Sequence, residues 1–344
     1  MISVGVIGYG YWGPNLARNS AEASGTSLAA VADFSPQALQ RAGKRYPGIK
    51  LYSDPSELIA DPAVDAVMIA TPVSTHFDLA LAALQAGKHV FVEKPMTRTA
   101  RESRILIAEA ARRNLTLMVD HTFVYTPAVR KIREFIDTGK LGDLYYYDST
   151  RVNLGLFQSD VNVMWDLAVH DFSILEYLLD GQQPTAVSAG GTRHIAGRPE
   201  NMAHVTLYYD SGTVAHLNVN WLAPAKIRQT LIGGSKSMII YDDLEPSEKI
   251  KVYDRGVDLE PRGKEQEAQL RVSYRMGDMW APQLTVREAL LDEIEHFASC
   301  INAGTVPLTS GQSGLGVVEM LEAATLSMQR RGAPIELGEF RIAS

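Results

Sequence analysis

One cysteine, Cys300, occurs in 344 residues, so no internal disulfide can brace this chain. It lies beside the apolar stripe Val286, Leu290, Ile294, Phe297 and Ile301, which reads as a packed helix thiol. No apolar run approaches the roughly 20 residues of a membrane-spanning helix. Lys and Arg number 33 against 40 Asp and Glu, a net charge of −7, and nowhere form a basic cluster. Nucleic acid is thereby excluded as the main partner. The start turns glycine-rich too quickly for a signal peptide, so a cytoplasmic location is expected. No repeat or low-complexity tract appears, and the length suits two domains with buried cores.

The most informative stretch is the first thirteen residues. Ile2, Val4, Val6 and Ile7 predict a buried strand, followed by Gly8, Gly10 and Gly13 in the spacing G-x-G-x-x-G with Tyr11 and Trp12 between them. A helix follows. The first glycine permits the tight turn, the second admits a pyrophosphate to the backbone, and the third lets helix pack on strand. The helix dipole and its free N–H groups favour the phosphate charge. A second strand, Leu28 to Val31, ends at Asp33, about twenty residues beyond Gly13, where this arrangement places a carboxylate on the adenosine ribose. No Arg or Lys follows it directly, which favours NAD over NADP. Asp33 is also placed to cap a helix opening at Pro36, and the two roles can coexist.

Strand and helix then alternate, predicting an α/β domain with a parallel sheet. The apolar strand Ala66 to Ala70 ends in Thr71-Pro72, and His76 opens the helix beyond, adjacent to the cofactor. The strand His89 to Val92 ends in Glu93-Lys94-Pro95. A lysine there either sits in a surface turn or polarises a substrate oxygen beside the nicotinamide. Leu115 to Val119 completes the sheet. His121 reads equally as a contact to the nicotinamide edge or as a buried, satisfied histidine.

From Leu144 to Leu154 residues alternate, placing Arg151 and Asn153 on one strand face. The following helix sets Asp166, His170, Ser173 and Tyr177 along one seam, with Trp165 just before it. One turn apart, Asp166 can support His170, and an imidazole of near-neutral pKa suits proton exchange with a hydroxyl. The bland alternative is a solvated i,i+4 pair worth about 0.2–0.5 kcal/mol. Further strands are predicted at Thr185–Gly190, Met202–Tyr209, Thr213–Trp221, Arg228–Ile232 and Ser237–Tyr241, with a hairpin turn at Asp210-Ser211-Gly212. Val205, Leu207, Ala215, Leu217, Val219 and Trp221 form an apolar face. His204, Thr206, Tyr208, His216, Asn218 and Asn220 form the other, which lacks the carboxylates or cysteines of a metal site. It reads as a subunit interface in a homodimer or homotetramer. Residues 244–279 read as a polar, irregular excursion, ordered or mobile. Two amphipathic helices, Thr285–Asn302 and Ser310–Arg330, end the chain.

The order Gly8-x-Gly10-x-x-Gly13, Asp33, Thr71-Pro72-x-x-x-His76, Glu93-Lys94-Pro95 and Trp165-Asp166-x-x-x-His170 resembles the glucose–fructose oxidoreductase / inositol dehydrogenase / MocA family over essentially the whole chain. The resemblance implies a Rossmann domain, residues 1–121, and an α+β domain with an open, mostly antiparallel sheet, residues 122–344. It implies NAD as cofactor, with Gly8, Gly10, Tyr11, Trp12, Gly13, Asp33, Thr71, Pro72, His76, Glu93 and Lys94 around it. It implies hydride chemistry on a secondary alcohol of a sugar or cyclitol, with Lys94, Asp166 and His170 catalytic. Arg151, Asn153 and Trp165 join these three at the substrate. Lys94–Pro95 is open to a cis peptide in such a chain. Two features depart from the family: a basic residue common near Val124 is missing, and Met164-Trp165 stand where glycines are frequent. The Gly-Tyr-Gly-Tyr-Trp-Gly-Pro-Asn turn looks like the branch associated with surface-polysaccharide enzymes, pointing to a UDP-sugar, with inositol or a free sugar as alternatives. A non-catalytic NAD sensor would need the turn and Asp33 but has no use for Lys94, Asp166 and His170 together.

Overall fold

The computed structural model describes residues 1–155, 161–254, 256–259, 272–275 and 277–343. The chain opens with β1 (Ile2–Ile7), α1 (Gly13–Glu22), β2 (Thr26–Ala32), α2 (Pro36–Arg45), β3 (Lys50–Tyr52) and α3 (Pro55–Ala60). It continues with β4 (Ala66–Ile69), α4 (His76–Gln85), β5 (His89–Glu93), α5 (Ala100–Arg113) and β6 (Leu117–Asp120). These strands form one parallel sheet in the order β3-β2-β1-β4-β5-β6, the doubly wound dinucleotide-binding order. The order reverses beside β1, so the crevice for a ligand opens at the carboxyl ends of β1 and β4, where the glycine turn and Thr71-Pro72 lie.

The second half holds α6 (Pro127–Asp137), β7 (Leu144–Leu154), α7 (Val169–Leu178), β8 (Ala186–Thr192), β9 (Met202–Tyr208), β10 (Val214–Asn220), β11 (Leu222–Gly234) and β12 (Met238–Asp242). Beyond these come β13 (Ile250–Tyr253), β14 (Gly256–Leu259), β15 (Val272–Arg275), β16 (Met279–Trp280), α8 (Ala289–Ala303), α9 (Gly311–Gln329), β17 (Ile335–Glu336) and α10 (Leu337–Ala343). The large sheet runs β16-β13-β12-β11-β7-β10-β9-β8-β17, with β7 and β10 its parallel pair and the other pairings antiparallel. The stretch read as irregular, 244–279, contributes β13 to this sheet, and β14 and β15 pair as a separate hairpin. Asp160 and residues 260–271 lie outside the described residues.

Alternation along β7 puts Tyr147, Ser149 and Arg151 inward, and along β9 and β10 buries Val205, Leu207, Ala215, Leu217 and Val219. The opposite face keeps His204 and His216 exposed. The last helices return to the first domain. Leu290, Ile294 and Phe297 of α8 pack with β1 and β4 residues, Phe297 meeting Phe91 edge-on at 5.6 Å, and Leu315 and Val318 of α9 cover the other sheet face. The two domains therefore share cores, which fixes the cleft between their sheets. Among the described residues, no helix is long and apolar enough to cross a membrane.

Candidate active site

The glycine turn is built for close approach of an anion. Gly8 has φ +91°, and a Cβ at Gly13 would stand 1.9 Å from the Gly8 carbonyl oxygen, so neither position tolerates a side chain. A Cβ at Gly10 would meet nothing within 4 Å, which leaves that backbone open to a ligand. Trp12, at the start of α1, makes no side-chain cap; Pro14 has no N–H and the Asn15 N–H donates to the Trp12 oxygen at 2.8 Å, which leaves the Gly13 N–H for a ligand among the described residues. Asp33 is tied to this turn: Oδ2 accepts from the Tyr9 N–H at 2.6 Å and Oδ1 from the Ser35 N–H at 2.7 Å. Ser35, not Asp33, caps α2, because its hydroxyl accepts from the Ala38 N–H. Turn, helix start and carboxylate have the arrangement that a dinucleotide would require, and Asp33 is the carboxylate that could meet its ribose.

That fit yields a test. Asp33→Asn keeps the reach to Tyr9 but removes the charge that repels a 2′-phosphate. The ratio of kcat/KM for NAD to that for NADP is expected to fall about tenfold or more, the scale of one hydrogen bond to a charged group. An unchanged ratio would place cofactor selection elsewhere.

A cleft of about 810 Å³ runs from this turn to the large sheet. It is lined by Gly10, Tyr11, Trp12, Thr71, Pro72, His76, Glu93, Lys94, Trp165, Asp166 and His170, all read from the sequence as site residues. Gly8, Gly13 and Asp33 are not among the residues that line it. Lys94–Pro95 is cis. His76 is buried between two carbonyls, Nδ1 2.9 Å from Pro95 O and Nε2 2.9 Å from Thr71 O; with burial holding the ring neutral, its one N–H donates to one of them.

Lys94 Nζ donates to the Asp166 backbone oxygen at 3.0 Å and lies 3.4 Å from Oδ1. The other Asp166 oxygen accepts from Trp221 Nε1 at 3.0 Å. Trp221 is 1% exposed, and a buried indole N–H needs an acceptor; it thereby holds the carboxylate that holds the lysine. Residues Met164–Ala168 form a π-turn before α7, and the Asp166 carboxylate is bonded to Lys94 and Trp221, with no hydrogen bond to His170 among the described residues. His170 instead leans on the Phe123 ring at 4.8 Å, with Nδ1 buried and unpartnered among the described residues. Burial above all, then the charges of Lys94, Arg151 and Arg228, push His170 well below the usual imidazole range. Burial, then Lys94, takes His121 down to about 3, a buried neutral histidine with neither ring nitrogen partnered among the described residues.

Arg151 and Asn153 do not line the cleft, correcting their assignment to substrate. The inward face of β7 meets α7 rather than open space. Arg151 is 3% exposed and donates from Nε to Asp171 Oδ2 at 2.8 Å, while Tyr147 and Ser149 donate to Oδ1. Asn153 is half-buried further along the strand.

Several lining residues escaped the sequence reading. Asp120 accepts from Trp12 Nε1 at 2.7 Å and from the Thr122 hydroxyl, linking the glycine turn to the end of β6. Burial, then the Asp120 charge, pushes both Glu93 and Glu293 of α8 well above the usual carboxylate range. Phe123, Arg228 and Asp243 complete the wall opposite Lys94. Their signal was weak, because each depends on where β11 and the residue-122 turn come to rest.

The matches to known proteins agree with this architecture. Residues 2–121 match the Gfo/Idh/MocA family model described as an oxidoreductase family with an NAD-binding Rossmann fold, and residues 133–337 match that family's C-terminal alpha/beta domain. The chain is 27% identical to scyllo-inositol 2-dehydrogenase (NAD(+)) of Bacillus subtilis, over 98% of this chain and 95% of that one. It is 31% identical to UDP-N-acetylglucosamine 3-dehydrogenase of Acidithiobacillus ferrooxidans, over 91% and 93%. A solved structure of UDP-N-acetylglucosamine 3-dehydrogenase from Acidithiobacillus ferrooxidans superposes with a TM-score of 0.80 at 28% identity, covering 96% of this chain and 98% of that one. With both domain models matched in order and the glycine turn, Asp33 and the Lys94 cleft in one fold, the chain belongs to the Gfo/Idh/MocA oxidoreductase family and is an NAD-dependent dehydrogenase.

Proposed function

We propose that this dehydrogenase acts on a ring secondary alcohol of a UDP-sugar. The observation that carries the chemistry is the convergence of Lys94, Asp166 and His170 on one cleft that begins at the glycine turn. Bound NAD supplies the two-electron acceptor. The protein's own groups then have separable tasks. Lys94 holds the substrate oxygen and stabilises negative charge growing on it, a role its compact ammonium suits in a partly water-excluded site. Asp166, braced by Trp221, keeps that ammonium in place. His170 takes the hydroxyl proton. The likeness to UDP-N-acetylglucosamine 3-dehydrogenase supports the nucleotide sugar; the likeness to scyllo-inositol 2-dehydrogenase supports a cyclitol as the second reading. A panel of UDP-sugars, free sugars and inositols, followed by NADH absorbance, separates them. Turnover confined to inositols would overturn the nucleotide-sugar assignment.

His170 gives a pH dependence. Its conjugate acid forms only well below the usual imidazole pKa, so the base stays available as pH falls through 6.5, and activity is lost only at lower pH. The acid limb of kcat/KM for alcohol oxidation is therefore expected below pH 6.5. A limb centred at 6.5 would contradict a buried, cation-flanked base.

The outer face of the large sheet, with Thr206 hydrogen-bonded to His216 at 3.0 Å and Tyr208 exposed, is the proposed seat of a second copy of the chain, which its mass in solution tests.

A further inference from the structure

Among the described residues, Lys94 and Arg228 are the lysine and arginine that line the cleft. Lys94 is committed to Asp166. Arg228, on β11, makes one side-chain bond among the described residues, from Nη1 to Asp243 Oδ2 at 3.2 Å, and its Nε is buried without a partner. Its side chain is 27% exposed. A guanidinium carries five donors in a planar fork, so most of its capacity is unused. Arg151 differs in burial and pairing: it is almost fully buried, its Nε is bonded to Asp171, and it does not line the cleft. Asp243 does not depend on Arg228 either. Its Oδ1 accepts from the Tyr241 hydroxyl at 3.1 Å, and its backbone oxygen accepts from Lys249 Nζ.

Phe123 sets the scale. The His170 ring lies 4.8 Å from the Phe123 centroid and the Arg228 Cζ 5.7 Å from it. The guanidinium and the proposed base therefore border the same aromatic ring of the cleft wall. A substrate held against that ring with its carbinol at His170 would bring another of its substituents to Arg228. Val124 itself is buried and apolar and supplies no cation.

We propose that Arg228 recognises an anionic substituent of the sugar, a carboxylate or a phosphoryl group, by exchanging its single bond to Asp243 for a two-pronged contact. This rests on the sugar-dehydrogenase reading above and narrows its substrate to acidic or phosphorylated sugars. Carboxylate and phosphate both match the guanidinium fork, whereas a neutral polyol leaves the Arg228–Asp243 pair as it stands.

Binding rather than turnover tests it, so the two readings can fail separately. Titrate the protein–NADH complex calorimetrically with UDP, D-glucuronate and scyllo-inositol, using the native chain, Arg228→Gln and Arg228→Lys. The native chain is expected to bind at least one of the two anions. Arg228→Gln is expected to weaken that anion about tenfold or more, with Arg228→Lys intermediate and scyllo-inositol unaffected. UDP alone responding identifies a phosphoryl group; D-glucuronate alone identifies a ring carboxylate. Anion affinity equal in the native chain and Arg228→Gln, or no anion binding to the native chain, overturns the proposal. Should Arg228→Gln fold poorly, Asp243→Asn releases the guanidinium and is expected to tighten the anion severalfold; unchanged or weaker binding overturns it equally. Anion binding that depends on Arg228, without oxidation of any UDP-sugar, leaves this inference standing and removes the UDP-sugar assignment alone.

Discussion

Lys94→Ala is expected to lower kcat by about two to four orders of magnitude, the range associated with removing one proton-handling or charge-stabilising group. The reason lies in geometry. Lys94 directly follows β5, at the carboxyl edge of the parallel sheet, and its ammonium is held by two oxygens of one residue, the Asp166 carbonyl and carboxylate. That double contact keeps the charge aimed into the cleft before substrate arrives. Alanine leaves the cleft's shape and the glycine turn intact, so NADH affinity is expected to stay within a few-fold. Lys94→Arg is not expected to rescue, because a planar fork cannot occupy a point-charge position against Asp166. Parallel assays of turnover and NADH fluorescence check this. Retained turnover in Lys94→Ala would move the charge-stabilising role elsewhere.

The largest stability effect is expected at Asp171. This carboxylate is 0% exposed and accepts from Arg151, Tyr147 and Ser149. Asp171→Ala leaves a guanidinium buried without its counter-charge and two hydroxyls without an acceptor. Breaking a buried pair in this way costs about 3–5 kcal/mol. The double change Arg151→Met with Asp171→Leu is expected to cost less than Asp171→Ala alone, since no charge is then stranded. Arg151 also lies 4.6 Å from the Phe123 centroid, so the single variant is expected to disturb the wall carrying His170. Urea unfolding of the three chains decides. A loss below about 1 kcal/mol in Asp171→Ala would show that the pair is solvated.

The site was legible where its signals are local. The glycine spacing, Asp33 and the Glu93-Lys94-Pro95 strand end each sit within one strand-turn-helix unit, so the pattern and the structure coincide. The β9–β10 hairpin was legible for the same reason, its two faces following from period-two alternation. Legibility stopped where one element's position depends on another's. Arg151 was placed on the right face of β7, but what that face meets depends on how α7 docks. Asp166 and His170 were spaced for a regular helix, and the π-turn at Met164–Ala168, with Asp166 bonded to Lys94 and Trp221, had no local signal. Trp221 reads as one more apolar residue of its strand, because its indole N–H finds Asp166 across 55 residues of chain. Arg228 was taken as the start of a strand that actually begins at Leu222, which hid that its side chain faces the cleft rather than a chain end.

The most direct test of the central claim, that Lys94 and His170 divide the work on one substrate oxygen, is turnover and NADH affinity measured side by side for His170→Ala. Turnover is expected to fall about a hundredfold or more while NADH still binds within a few-fold of the native chain. Turnover within a few-fold of the native chain would contradict the account, and so would loss of NADH binding, which would make His170 a cofactor ligand instead of the base.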